Sequence, residues 1–290
     1  MGVREHRRIA VVLPVGPLDV EGAFDTLASA LYYLDDSKVI VTVDDTGNNT
    51  GFSKRAQEMS PDIVALPAPS RAPGGEGGLW VKIAAGYQWV LDRYQPDFIL
   101  RLDADALIIG TGIEDRAADE FARDPGTGLL GSYRVCPDGT QRDWSWAARR
   151  LRIETGARGL RYPARRVRLR RFVSLARENG YTEGEHALGG SYIHSYRAAH
   201  AIHARGWFGE TSFATSKLGE DHIMGLVTVA AGYRIADFGG PDDPMSLEWK
   251  HLPAHPDDLL AGKKMVTHSV RSWDNLKEPE IRRIFRDARG

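Results

Sequence analysis

Asp103 and Asp105 stand one residue apart at the end of an apolar run, Phe98-Ile99-Leu100-Arg101-Leu102, which resumes as Ala106-Leu107-Ile108-Ile109. Pro96 lies just before it. A short apolar stretch bounded by turn signals reads as a strand buried on both faces. The carboxylates then emerge at its C-terminal end, where open α/β sheets place their ligands. Residues two apart on a strand point to the same side, and two carboxylates projecting together repel unless a cation or a set of donors lies between them. A hard divalent ion that also binds phosphate oxygens is the simplest such cation. Alone, an Asp-X-Asp triplet is more often a turn or a helix cap, so the rest of the chain must supply the case.

Lys82 falls in the first turn of a helix read over 79–94, where the macrodipole disfavours a cation. Either it is a solvated lysine, or a phosphate or acidic partner lies near that helix start. Gly189 and Gly190 open a strand within 186–195; adjacent glycines there permit close backbone approach to a ligand, or mark a bulge. Glu220 and Asp221 begin a helix with the apolar stripe Ile223, Leu226, Val227 and Ala230. Acids at that place favour a helix by dipole and capping alone. His268 ends a strand over 265–268 and is either a metal ligand or a structural histidine. Cys136, beside the turn residues Pro137-Asp138-Gly139, is read as structural.

The elements that must hold these residues alternate between strand and helix. A strand over 9–13 leads into a helix capped by Asp19 and striped with Phe24, Leu27, Leu31 and Leu34. A second strand over 39–43 ends in Asp44-Asp45 and the turn residues 46–50. Strand, helix, strand and terminal acid make half of a nucleotide-binding α/β unit. Neither a Gly-X-Gly-X-X-Gly fingerprint nor a Walker-type loop is present, so nucleotide binding is of another design. A strand over 63–66 and a Pro/Gly-rich loop over 67–78 precede the helix of Lys82. After the acidic run come a helix (114–123), a strand (128–133), a helix (196–205), the helix of Asp221, a strand (233–238) and a terminal helix (278–286).

With 290 residues, 42% of them hydrophobic and 27% charged, the chain can bury one large core or two smaller ones. A formal net charge of -1 argues against a general nucleic-acid binder. No apolar run approaches the ~20 residues that a membrane helix needs. One cysteine excludes an internal disulfide and suits a reducing cytoplasm, where the chain is expected to work. Positive charge is uneven: Arg149, Arg150, Arg152, Arg158, Arg161, Arg165, Arg166, Arg168, Arg170 and Arg171 crowd one segment. Such a run is a solvated helix face, an oligomer contact, a cradle for an anionic acceptor or a membrane-facing surface.

In their order, these motifs resemble those of inverting glycosyltransferases of the GT-A fold. The likeness is closest to the fringe and β-1,3-glycosyltransferase group and more distant to the family-2 transferases. Lys82 and Trp89, with Arg101-Leu102-Asp103-Ala104-Asp105-Ala106-Leu107-Ile108, are similar to that group's Lys and Trp before its acidic strand. Tyr192-Ile193-His194-Ser195, preceded by Gly190 and Ser191, is similar to its Gly-Tyr-x-x-Ser stretch. Glu220-Asp221-His222-Ile223-Met224-Gly225 is similar to its Glu-Asp-Val-x-x-Gly. The likeness covers about 79–237, with the Arg-rich segment as an interruption. Ala104 stands where the group has the middle of three acids, the cysteines of the Golgi members are missing, and their N-terminal anchor is not expected here.

The resemblance implies an α/β nucleotide-diphospho-sugar transferase (GT-A) fold, a single Rossmann-like sandwich with a mixed central sheet over 1–290. Residues 1–110 would bind the nucleotide-sugar, and 111–290 the acceptor, with the Arg-rich insertion at about 145–178. The implied activity is that of a metal-dependent hexosyltransferase. It would move a sugar from a nucleotide-sugar donor, a UDP-sugar by likeness, to an acceptor hydroxyl with inversion. Asp105 would be the main metal ligand, with His268 completing the site and Asp103 approaching the metal or the donor ribose through water. Mn²⁺ is expected, with Mg²⁺ as the alternative, because a His ligand fits Mn²⁺ better. Asp221 would be the general base. Asp44 or Asp45 would hold the donor's base or ribose, Pro14 and Val15 would line its pocket, and Lys82 would serve the same donor. Gly189, Gly190 and Glu220 would face the acceptor.

Three other readings stay open: a retaining transferase, a sugar-phosphate nucleotidylyltransferase and a non-catalytic nucleotide-sugar-binding module. The second lacks its Gly-rich, Arg-containing signature at 12–20. The Arg-rich segment has no counterpart in the group, so the resemblance leaves the acceptor unnamed. An anionic acceptor and a peripheral membrane contact are the two expectations for it.

Overall fold

Along the first strand, β1 (Glu5–Val15), Ala10 and Val12 enter one apolar layer while Ile9, Val11 and Leu13 enter the other. Unbroken hydrophobicity is what a strand covered on both faces requires. The computed structural model describes residues 4–47, 50–69 and 75–290. After β1 come α1 (Val20–Tyr33), β2 (Lys38–Asp44), α2 (Phe52–Met59), β3 (Ile63–Pro67), α3 (Glu76–Arg93) and β4 (Tyr94–Leu102). The chain continues with β5 (Ala106–Ile108), α4 (Ile113–Arg123), β6 (Thr127–Gly131), α5 (Ser145–Thr155) and α6 (Pro163–Glu178). Then follow β7 (Ser191–Ser195), α7 (Tyr196–Ala204), α8 (Glu220–Ala230), β8 (Arg234–Asp237), β9 (Met245–Leu247), α9 (Pro256–Ala261) and β10 (Val266–His268). A short hairpin, β11 (Ser272–Trp273) and β12 (Leu276–Lys277), leads to α10 (Glu278–Asp287).

The seven-stranded sheet runs β3-β2-β1-β4-β7-β6-β8. The first four of these are mutually parallel, β7 is antiparallel to both its neighbours, and β6 is parallel to β8. The fold is α/β with a mixed central sheet, as the sequence leads one to expect. Trp80, Ile83, Tyr87 and Val90 of α3, with α6, α7 and α8, cover one face. Ala23, Leu27 and Ala30 of α1, with α2 and α4, cover the other. A second sheet, β5-β10-β9, joins this second layer, and its outer face buries Leu107 against Ile281 and Phe285 of α10.

The acidic run is not one strand. β4 begins early enough to take in Pro96, at a point flanked only by β1, because β7 pairs from Phe98 onward. β4 stops at Leu102; residues 103–105 turn, and β5 leaves the main sheet to pair with β10. The Thr26 hydroxyl pins that turn between the carbonyls of Ala104 and Ala106, and Arg282 donates to the Ala104 carbonyl at 2.8 Å.

Two other expectations change. Asp19 precedes α1 but makes no side-chain cap; its carboxylate accepts from Arg271 at 2.9 Å. α3 starts at Glu76, so Lys82 lies in its second turn, and the end of the expected 67–78 loop is helical. Residues 70–74 of that loop and 48–49 of the 46–50 turn lie outside the described residues. Residues 145–178 form α5, a 3₁₀ turn (Ala157–Arg161) and α6, whose Leu169, Phe172 and Ala176 are buried. No helix among the described residues is long and apolar enough to cross a membrane.

Candidate functional site

A cleft of about 490 Å³ opens at the C-terminal ends of β1 and β4, where parallel strands leave room beside their neighbours. Asp103 and Asp105, on the turn that leaves β4, meet His268 at the end of β10 there. The Nε2 of His268 is 3.2 Å from Asp105 Oδ1 and 3.9 Å from Asp103 Oδ2. One donor atom from each of the three lies within 4.8 Å of the others. His268 Nδ1–H donates to the Glu248 carbonyl at 2.7 Å, which turns the Nε2 lone pair toward the carboxylates. That is how metal-binding imidazoles are commonly oriented. Gly190 makes the approach possible: its φ is +94°, and a Cβ there would stand 2.5 Å from the imidazole.

Burial and the like charge of Asp105 act together to raise the Asp103 carboxyl, outweighing the pull of Arg101. Burial also acts to raise Asp105, but His268, Arg271 and Ser269 hold it well below the usual carboxylate range. Ser269 and Arg271 both donate to its Oδ2 at 2.8 Å. Burial opposes a charge on His268, yet Asp105 and Asp103 raise its pKa. The gap between imidazole and carboxylates therefore suits either a proton or a metal ion, and an Asp₂His donor set fits a divalent ion of the Mn²⁺ kind.

Behind this group sits Arg101, 1% exposed in the middle of the sheet. Its guanidinium reaches Asp103 Oδ1 at 2.8 Å and Glu220 Oε1 at 2.7 Å. Burial disfavours its charge, but the two acids more than compensate. Glu220 also accepts from the Tyr192 hydroxyl at 2.8 Å. Burial pushes its carboxyl up to about 8 against the attraction of Arg101, with Asp221 and Asp103 adding to the rise. Its side chain holds Arg101 and Tyr192 while also lining the cleft on the side where an acceptor contact is expected.

Asp221, on the first turn of α8, faces the cleft. Its Oδ2 accepts from the Gly189 N–H and its Oδ1 from the His222 N–H, each at 2.8 Å. Burial works against its ionisation, but His222, His186 and the two backbone donors bring it down to about 2. It is an ionised carboxylate at neutral pH.

Pro14, Val15, Lys82, Asp103, Asp105, Gly189, Gly190, Glu220, Asp221 and His268 all line this cleft. Asp44 and Asp45 do not. Asp44 closes the loop after β2, accepting from the Thr46 backbone and hydroxyl and from Ser53. Asp45 forms an ion pair with Lys82, which lines the cleft. This is the acidic partner that a lysine near a helix start called for. The cleft also gathers Asp19, Glu76, Trp249 and Arg271, which sequence reasoning did not single out as ligands. The charged Arg101 inside an apolar strand was a visible signal; the loop residues Trp249 and Arg271 carried none.

No family model matches the chain, and no curated protein matches its sequence. Among solved structures similar to it is the apo form of the bifunctional glycosyltransferase WbbM, at 10% identity over 98% of this chain, with a TM-score of 0.49. The chain spans 50% of that protein's length. Another is the mannosyltransferase Ktr4p from S. cerevisiae, at 11% identity over 80% of this chain and 68% of that one, with a TM-score of 0.45. At these identities and TM-scores, neither likeness assigns an activity to the chain.

Proposed function

We propose that the chain is a metal-dependent, inverting glycosyltransferase that uses a nucleotide-sugar donor, with a UDP-sugar as the first candidate. Its motifs fit the fringe and β-1,3-glycosyltransferase group best. The observation that carries this reading is the convergence of Asp103, Asp105 and His268 in the cleft that also holds Asp221. Asp103, Asp105 and His268 would hold Mn²⁺ or Mg²⁺. When bound, the ion supplies positive charge against the donor's diphosphate and its departing oxygen.

The chain's own groups do the rest. Pro14 and Val15 line the nucleotide end, and Lys82, steadied by Asp45, adds a cation there. Arg101 keeps Asp103 in place from behind. Asp221 accepts the proton of the acceptor hydroxyl as that oxygen bonds to the anomeric carbon. The bond from that carbon to the diphosphate oxygen breaks, and its electron pair leaves with the nucleoside diphosphate. One in-line displacement inverts the centre. A carboxylate ionised at pH 7 is competent for this step.

The partner on the acceptor side would be an anionic membrane surface. Residues 145–178 hold eleven arginines and two glutamates, a local charge of +9 that leaves -10 for the rest of the chain. Leu160, Tyr162 and Val167 are exposed among Arg158, Arg161, Arg170 and Arg171. Apolar tips ringed by arginine suit the interface of a bilayer with anionic lipid.

A thermal-shift screen of nucleotide sugars with and without Mn²⁺ tests the whole reading. A UDP-sugar that stabilises the protein only when Mn²⁺ is present is expected. No shift with any nucleotide sugar in either condition would overturn it.

A further inference from the structure

We propose that His186, His222 and Asp221 form a second cation site, selective for a borderline-soft divalent ion of the zinc class, which inhibits when filled by occupying Asp221. The inhibitory half rests on the function proposed above; the binding half does not.

His186 is buried, and its Nδ1–H donates to the Gly184 carbonyl at 2.8 Å. That bond fixes the tautomer and leaves a lone pair on Nε2, 3.9 Å from Asp221 Oδ2. Two acceptors face each other there with no hydrogen between them. On the other oxygen, His222 Nδ1 stands 3.2 Å from Asp221 Oδ1, buried and without a hydrogen-bond partner among the described residues. The two imidazoles lie 3.8 Å apart, centroid to centroid. One donor atom from each of the three residues falls within 4.8 Å of the others. Metal–ligand bonds of about 2.0–2.2 Å set neighbouring donors roughly 3–3.5 Å apart, so one pair already has the required spacing and the other closes by a small rotation.

Gly219 keeps the pocket tight, since a Cβ there would lie 2.6 Å from His222 Nδ1. The Trp146 ring lies 5.6 Å from that of His222 and screens its outer side.

The two sites differ in chemistry. Two carboxylates and one imidazole at Asp103, Asp105 and His268 suit Mn²⁺ or Mg²⁺, whereas two imidazoles and one carboxylate suit Zn²⁺, Co²⁺ or Ni²⁺. A cation on Asp221 takes the lone pairs that would accept the acceptor's proton.

The test is Zn²⁺ titration of the metal-free protein against a chromophoric chelator, with no nucleotide sugar present. Asp105→Asn is expected to keep one tight Zn²⁺ site. Adding His222→Gln or His186→Asn should weaken that site by about 10–100-fold or more. His222→Gln preserves bulk at a partly exposed position, and a circular dichroism melt verifies its fold. A site absent from Asp105→Asn, or one indifferent to both histidine substitutions, overturns the proposal. In a transfer assay saturated with Mn²⁺, Zn²⁺ should inhibit the wild type and His222→Gln should relieve it. A protein that binds Zn²⁺ as described but transfers no sugar would sink the proposed function while leaving the site standing.

Discussion

Arg101 Nη2 lies 2.7 Å from Glu220 Oε1 and 2.8 Å from Asp103 Oδ1, so one guanidinium ties the start of α8 to the acidic turn beyond β4. The group is 1% exposed and therefore cannot exchange a lost partner for water. Removing one member of a buried pair costs about 3–5 kcal/mol, because the other charge stays behind uncompensated. Glu220→Ala is expected to lose stability in that range. Glu220→Gln, which can still accept from Tyr192 but carries no charge, should lose nearly as much. Urea denaturation at pH 9, above the value of about 8 to which burial pushes Glu220, measures both, and a Gln variant as stable as the wild type would remove the charge from the explanation.

Gly190 sets how His268 meets the carboxylates of the proposed metal site. Its φ of +94° suits glycine, and a Cβ would meet His268 at 2.5 Å. Gly190→Ala is expected to cost about 1–3 kcal/mol in backbone strain and to move the imidazole. Calorimetric Mn²⁺ affinity should fall by about tenfold or more, the outcome seen when a ligand's orientation is lost. Unaltered Mn²⁺ affinity would show that His268 is not a ligand.

Much of this arrangement was legible in the order of residues, and the exceptions have physical causes. The apolar runs of β1 and β4 announced a doubly covered sheet, because a strand buried on both faces has no polar side to show. His268 lies far from Asp103 and Asp105 in sequence, but all three fall at strand ends. The exit of β5 into another sheet was hidden, since Ala106-Leu107-Ile108 is as apolar as β4, and only the tertiary contacts of Thr26 and Arg282 turn it. Asp44 was not separable in the sequence, because the acid ending a strand serves a ligand or closes its own turn equally well; in the structure it accepts from Thr46, two residues on. His186 and His222 carry no local signal in the sequence, since their meeting at Asp221 exists only once α8 packs beside the 184–189 segment.

His194 offers a test of the core beneath the cleft. The Thr228 hydroxyl donates to the Met224 carbonyl, so it accepts from His194 Nε2–H at 3.0 Å; Nδ1 then accepts from the Tyr87 hydroxyl at 2.9 Å. The neutral ring is fully satisfied, and burial pushes its pKa down to about 3. An unfolded histidine takes up a proton below about pH 6.5, which the folded ring refuses. Its contribution is thus complete above pH 6.5 and declines as pH falls toward 3. Glu220, pushed up to about 8, acts in the opposite sense between its ordinary value and 8, so the wild-type curve alone is ambiguous. The stability difference between wild type and His194→Gln is the clean measure. It should shrink by on the order of 1.4 kcal/mol per pH unit below 6.5, and a constant difference from pH 7 to 4 would contradict this.

The arginine-rich helices are expected to bind vesicles. Leu160 and Val167 are 61% and 65% exposed, and Arg170 and Arg171 lie on the same exposed side of α6 as Val167. Each basic residue near an anionic leaflet contributes about 1 kcal/mol, screened over a Debye length. Arg170→Glu with Arg171→Glu should therefore weaken co-sedimentation with phosphatidylserine vesicles by roughly 10–100-fold. Binding should also decline with salt and be absent on neutral vesicles. Equal binding to neutral vesicles would point to the apolar tips alone.

Asp221 carries the heaviest chemical assignment, and Asp221→Asn separates it from binding. The amide oxygen can still accept from the Gly189 N–H, which the carboxylate holds at 2.8 Å, while the amide nitrogen gives up the bond from the His222 N–H. What the substitution removes is proton affinity. Turnover is expected to fall by about 10²–10⁴-fold, while the Mn²⁺-dependent affinity for a UDP-sugar changes little. With Mn²⁺ saturating, so that no proton competes at His268, the pH dependence of the wild type should show no limb from Asp221 between pH 5 and 8, since its carboxyl, held down to about 2, is already ionised across that range. A variant within a few-fold of wild-type turnover would transfer the role of base elsewhere in the cleft. Glu76 is the next candidate, because burial and its neighbours Asp221 and Asp103 raise its carboxyl. Asp221→Asn should lower that pKa by removing a neighbouring negative charge, so residual activity carried by Glu76 would show its acid limb shifted to lower pH.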